Sequence, residues 1–164
     1  MPDLLSSEAD GVLTLTFNRP ASFNAMTDEM SDGFASAMES CAGRDDVRVV
    51  VVTGAGDAFN AGADISGADA HERFDVRALD RANRMVRAVV SCPVPVVAAV
   101  NGIAAGVGCS IALAADLTVA SSSASFLLAF ARVGLMPDGG ATALVAASVG
   151  RARAMRMALL AEPL

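Results

Sequence analysis

Apolar and polar side chains alternate along Val12-Leu-Thr-Leu-Thr-Phe17, the period-two pattern of a half-buried strand, and Asn18-Arg-Pro20 ends it. From Thr27, an N-cap with Asp28 and Glu29 behind it, Met30, Phe34, Met38 and Cys41 recur at helical spacing until Gly43. This predicts an amphipathic helix. Val47 to Thr53 is rich in β-branched residues and interrupted only by Arg48, which predicts a strand buried on both faces of a parallel sheet. Between Phe74 and Ser91, Leu79, Ala82, Met85, Val86 and Val89 define one helical face, while Arg77, Arg81, Arg84 and Arg87 crowd another. Those arginines form either a solvated face or a surface that reaches phosphates or a neighbouring subunit. Pro93 and Pro95 bracket the start of an apolar strand within Val94 to Val100, and a glycine-rich turn leads from it into the apolar run Ile111 to Ala115. A short strand from Leu117 to Ala120, a turn at Ser121-Ser-Ser123, the segment Phe126 to Phe130, a loop from Gly134 to Gly140 and two short helices split by Gly150 follow.

Repeated alternation of strand and helix calls for an α/β fold with parallel strands and right-handed crossovers. A chain of 164 residues with 54% hydrophobic content supports one domain with a sizeable core. The net charge of −6, with no lysine, leaves no electrostatic footprint for nucleic acid, so any polyanionic ligand must be met by local arginines and backbone N–H groups. Cys41, Cys92 and Cys109 are odd in number, far apart and set in apolar patterns, which reads as reduced core thiols in a reducing compartment. The single histidine, His71, lies in the polar stretch Gly67 to Asp75 and reads as a surface-loop residue rather than a metal ligand. The N-terminus has no basic region before its short apolar pair, and no apolar run approaches the length of a membrane span. A cytoplasmic protein with no membrane partner is expected.

The chemistry concentrates in two glycine-rich turns. Asn101-Gly-Ile-Ala-Ala-Gly-Val-Gly-Cys-Ser110 carries a buried strand into a helix. The first N–H groups of that helix lack intrahelical partners, and Gly106 and Gly108 let a ligand approach the backbone. A second turn of the same kind follows Val47 to Thr53 and runs from Gly54 to Asp64. Two strand ends can thus each offer one N–H to a single oxygen.

Asn18-Arg-Pro20 with Asn24-Ala25, Ala58-Phe59 with Ala61-Gly-Ala-Asp-Ile65, Asn101-Gly102 with Ala104 to Cys109, Ala115-Asp116, and Gly134-Leu-Met-Pro-Asp-Gly-Gly140 together resemble the crotonase, or enoyl-CoA hydratase/isomerase, superfamily. The resemblance implies an α/β superhelix of ββα turns of the ClpP-like kind, spanning residues 1–164. It also implies assembly into homotrimers or hexamers and an acyl-CoA thioester substrate, with coenzyme A part of the substrate and no separate cofactor. Family members continue into a C-terminal helical segment that helps cover the acyl-CoA. Its absence would leave Leu144, Val145, Met155 and Leu159 without a partner.

Matched by motif, the backbone N–H groups of Ala63 and Val107 are the donors to the thioester oxygen, and Ser22, Phe23, Ala61, Asp64 and Ile65 line the CoA and thioester site. Asp64 and Asp116 read equally as structural carboxylates in tight loops. Hydratases of the family use two glutamates, and these positions fall here on Ser110 and Phe130, neither of which does general acid/base work without a partner base. Asp138 remains. In its Pro-Asp-Gly-Gly context it resembles the aspartate of ring-epoxide and Δ3,Δ2-enoyl-CoA isomerases, although it could instead cap the following helix. The expected activity is isomerisation of an enoyl-CoA through an enolate; a non-catalytic acyl-CoA binder and a weak hydratase are the alternatives.

Overall fold

The structure is a computed structural model and describes residues 1–66 and 75–164; the segment containing His71 lies outside the described residues. β1 (Leu4–Ala9) and β2 (Val12–Phe17) form an antiparallel hairpin. Its two-residue turn, Asp10-Gly11, has φ of 53° and 81°, the left-handed pair that matches strand twist. β2 then pairs in parallel with β3 (Val49–Gly54), β3 with β5 (Val96–Val100), and β5 with β7 (Leu117–Ala120), giving the order β1-β2-β3-β5-β7. Three short strands, β4 (Ala58–Asn60), β6 (Ile103–Ala105) and β8 (Ser125–Leu127), build a second, parallel sheet in the order β4-β6-β8. From β3 onward each pass of the chain adds one strand to each sheet and then returns through helical structure, which is the expected ββα superhelix.

Helix α1 (Asp28–Glu39) starts where the sequence places it, with the Thr27 side chain accepting from the Met30 N–H at 3.1 Å. Helix α2 (Val76–Val90) is capped by Asp75, which accepts from the Arg77 and Ala78 N–H groups. Their apolar faces share one core with β2, β3 and β5: Met30, Phe34, Met38, Met85, Val86 and Val89 cluster with Leu15, Phe17, Val50, Val52 and Val96. The Phe17 ring centroid stands 5.3 Å from that of Phe34 and 5.6 Å from that of Phe59. Of the arginines on the polar face of α2, Arg81 pairs with Asp28 at 2.9 Å and Arg84 with Glu39 at 2.6 Å, so both tie α2 to α1. Exposed pairs of this kind add little stability.

β3 corrects an expectation. Val50 and Val52 are buried, but Val49, Val51 and Thr53 are only partly so. The helices cover one face of the first sheet alone, and the other face runs on to Leu117 and Val119, which are 61% and 62% exposed. A continuous β-branched run fits either a two-sided or a one-sided burial; only the layer count separates them.

Helices α3 (Val107–Ala114), α4 (Ala141–Val149) and α5 (Arg151–Leu160) form a smaller cluster around Cys109, Leu128, Phe130, Val145 and Met157. Val145 is therefore buried, contrary to the expectation for a chain without a C-terminal segment. Leu144 is half-buried against the main core, whereas Met155 and Leu159 are exposed as expected. Among the described residues no helix is long and apolar enough to cross a membrane.

Candidate active site

Two of the three strands of the second sheet, β4 and β6, are followed by a glycine that turns the chain. Gly62 follows β4 with φ of +91°, and Gly106 follows β6 with φ of +53°. A Cβ on Gly62 would lie 2.9 Å from the Ala105 carbonyl oxygen and 3.5 Å from Gly106 Cα, so the two turns touch backbone to backbone. Ala63 and Val107, the next residues of each turn, therefore come together on one cavity wall. Val107 opens α3 and its N–H has no partner within the helix. The bridge between Met26 and Ala63 uses the Gly62 carbonyl and the Asp64 N–H, which leaves the Ala63 N–H outside it. Among the described residues, neither N–H meets a hydrogen-bond acceptor.

Asparagine side chains hold this backbone in place. Asn60, fully buried, donates to the Asn24 carbonyl at 2.7 Å and accepts from the Gly62 N–H at 2.9 Å. Asn24, also fully buried, donates to the Ala55 and Ala58 carbonyls and accepts from the Arg19 N–H at 2.8 Å. Asn101 donates to the carbonyls of Gly54 and Gly56. Such groups leave stranded partners when removed. Asn60→Ala is expected to destabilise the fold by about 2–4 kcal/mol, because the Gly62 N–H and the Asn24 carbonyl lose their partners in a dry interior. Chemical denaturation read by circular dichroism checks it; an unchanged midpoint would mean the network contributes nothing.

Asp64 accepts from the Ser66 N–H and hydroxyl and pairs with Arg19 at 2.9 Å, and together these hold its carboxyl down at about 2. Arg19 in turn donates to the Ala25 carbonyl at 2.6 Å, so this ion pair anchors the loop that carries Ala63. Asp116 accepts from the Val96 N–H at 2.8 Å and is structural.

A cavity of about 520 Å³ opens in front of the two turns. Of the residues the sequence nominated, Ser22, Ala61, Ala63, Asp64, Ile65, Val107 and Asp138 all line it. Phe23 does not: it is 60% exposed, and its carbonyl accepts from the Ala61 N–H at 3.0 Å, so its backbone supports the cavity wall. Asp138 does not cap α4. Gly140 stands at the cap with no side-chain bond, and it is the Asp138 backbone carbonyl that accepts from the Ala141 N–H at 2.9 Å. The Asp138 carboxyl is instead turned inward, where burial raises its pKa and Oδ1 has no partner among the described residues. Phe130 makes an apolar wall of the cavity.

Met26, Ala82, Met85 and Leu135 also line the cavity, and sequence reasoning did not nominate them. Their signal, an apolar helical or loop position, is that of any core residue. The preorganised donors, the inward carboxyl and the apolar walls can bind a molecule carrying a carbonyl that gains negative charge, and can move a proton beside it.

The sequence pattern of the enoyl-CoA hydratase/isomerase family matches residues 7–164. Among proteins of known sequence, the chain is 43% identical over 156 residues to a probable enoyl-CoA hydratase of Rhodobacter capsulatus, covering 94% of this chain and 60% of that protein. It is 40% identical over 169 residues to the 1,2-epoxyphenylacetyl-CoA isomerase of Escherichia coli, covering 100% and 64%. Among solved structures, an enoyl-CoA hydratase from Mycobacterium avium subsp. paratuberculosis superposes with a TM-score of 0.91 at 50% identity, covering 99% of this chain and 62% of that one. The chain thus spans about three fifths of the length of the relatives it matches.

Proposed function

From the premise that this chain belongs to the enoyl-CoA hydratase/isomerase family, we propose that it isomerises a 3-enoyl-CoA to the conjugated 2-enoyl-CoA through an enolate. The thioester carbonyl oxygen sits between the N–H groups of Ala63 and Val107. Asp138, ionised, takes a proton from carbon 2; the electron pair of that C–H bond moves onto the carbonyl oxygen, giving a dienolate; the same carboxyl then returns the proton to carbon 4 as the oxygen's charge flows back and the double bond settles between carbons 2 and 3. The two N–H donors stabilise the enolate oxygen more than the ground-state carbonyl, which is how binding lowers the barrier. Ser22, Ala61, Asp64 and Ile65 frame the thioester and CoA side of the cavity, with Phe23 beside them.

One observation carries the reading. Among the described residues three carboxylates line the cavity, and two are neutralised: Asp28 by Arg81 and Asp64 by Arg19, each at 2.9 Å. Asp138 is the one without an ion pair among the described residues, and burial raises its pKa above the ordinary aspartate value, which makes it a stronger base toward a carbon-bound proton. Hydration needs a second acid/base, and Ser110 and Phe130 stand where the family's hydratases carry theirs. The likeness to the E. coli isomerase favours one further substrate class for the same carboxyl, a ring-epoxide acyl-CoA. A cytoplasmic location and a homotrimer or hexamer go with this proposal, and exposed Leu117, Val119 and Leu159 supply apolar surface for such contacts.

The test is ultraviolet-monitored conversion of 3-enoyl-CoA, run beside hydration of a 2-enoyl-CoA. Isomerisation should exceed hydration; rapid hydration would overturn the reading, and no turnover of either would favour a binder. A ligand-bound crystal structure should place the thioester oxygen about 2.7–3.2 Å from both backbone nitrogens. A carbonyl turned away from them would remove the oxyanion site.

A further inference from the structure

Two buried side-chain oxygens have no hydrogen-bond partner among the described residues: Ser110 Oγ and Asp138 Oδ1. Ser110 is fully buried in the first turns of α3, and a hydroxyl in such a place ordinarily finds a partner. The two residues flank one glycine. Gly139, the neighbour of Asp138, has φ of +52°, and a Cβ built on it would lie 3.4 Å from Ser110 Cβ and 3.3 Å from Val107 Cγ2. The loop that carries the carboxyl is therefore seated directly on the helix turn that carries both the hydroxyl and one of the backbone donors.

We propose that Ser110 is a positioning residue for Asp138, its hydroxyl and Oδ1 sharing one ordered water that holds the inner side of the carboxyl and leaves Oδ2 facing the cavity. The inference rests on the assignment of Asp138 as the proton carrier. Two polar groups with a common neighbour are what a buried water needs at minimum, and a water donating to Oδ1 favours the ionised, basic form of the carboxyl. It thereby works against the desolvation that raises the Asp138 pKa. Among the described residues, the charged groups nearby are engaged elsewhere. Arg81 on α2 is paired with Asp28 on α1, Asp64 with Arg19, and Arg132 donates to the Ala161 carbonyl. Cys109 on α3 is a thiol pushed up to about 12 by burial and stays neutral.

Ser110→Ala in the full chain tests this. Alanine fits the same space and removes only the hydroxyl, so the fold should hold and the melting temperature should shift by no more than a few degrees. The acid limb of the pH profile for isomerisation should move up by about half to one pH unit, with acyl-CoA affinity within about twofold. The Asp138 carboxyl carbon, followed by ¹³C NMR in protein labelled at aspartate, should titrate higher by the same amount. Ser110→Cys, of similar shape but a weaker donor, should fall between, and is read in the same way if the alanine variant misfolds. A carboxyl titration unmoved in both variants would overturn the proposal, as would a high-resolution crystal structure with no ordered oxygen within hydrogen-bond distance of both groups. The NMR titration needs no turnover. A shifted carboxyl in a protein that fails to isomerise would leave Ser110 in its role and overturn only the assigned reaction.

Discussion

Asp138→Asn is expected to leave acyl-CoA affinity nearly unchanged while isomerisation of a 3-enoyl-CoA falls by roughly 10² to 10⁴, the usual worth of a positioned acid/base. Asparagine keeps the shape of the carboxyl and cannot carry a proton between carbons. The same variant should be at least as stable as the wild type near neutral pH. Burial raises the Asp138 pKa above its unfolded value, so the protonated group contributes stability that is present at low pH and lost as pH rises through the folded pKa. A neutral amide avoids that loss. For the same reason the acid limb of wild-type activity should lie above the ordinary aspartate range, since the carboxyl must be ionised to accept the first proton. Undiminished isomerisation in the asparagine variant would take Asp138 out of the mechanism.

Gly62→Ala should disable the site by forcing apart the two turns that build it. The new Cβ would lie 2.9 Å from the Ala105 carbonyl oxygen, and the residue would be held at a φ of +91° that alanine rarely adopts. Relief requires the Gly62 and Gly106 turns to separate, which moves the Ala63 and Val107 N–H groups off their common target. Turnover should fall by about 10² to 10³, the cost of losing one oxyanion donor, and the melting temperature should drop by several degrees. Gly43→Ala supplies the control. Gly43 has a φ of +85° but nothing within 4 Å of a Cβ, so it isolates backbone strain from contact. It should cost about 1–2 kcal/mol of stability and no activity. Equal turnover losses in the two variants would mean that strain, rather than displaced donors, explains the effect.

How far the sequence could be read depended on whether a signal was local. β2, α1, β7 and the helix pair split by Gly150 carry their own periodicity or punctuation, and the structure has them where the pattern predicts. β1 was missed because Leu4-Leu-Ser-Ser-Glu-Ala does not alternate, though Asp10-Gly11 was a hairpin turn in plain view. β4 and β6 are three residues each, too short to show any period, and they make a sheet only because chain segments more than forty residues apart lie side by side. Asn60 was passed over because a buried asparagine looks like any other until its partners, the Asn24 carbonyl and the Gly62 N–H, are known.

By itself, then, the sequence determined the alternating strand–helix order, the two glycine turns with their unpaired N–H groups, and the lack of glutamates at 110 and 130, since each of these is a property of residues close together in the chain. Only the tertiary structure decided that the two turns meet back to back and that one face of the first sheet stays open. It also decided that Asp28 and Asp64 are tied up in ion pairs and that Asp138 faces the cavity instead of capping α4. The physical reason is the same in each case: a carboxyl's partner, a methyl's clash and a sheet's covering layer come from residues distant in the chain, and packing alone brings them within a few ångströms.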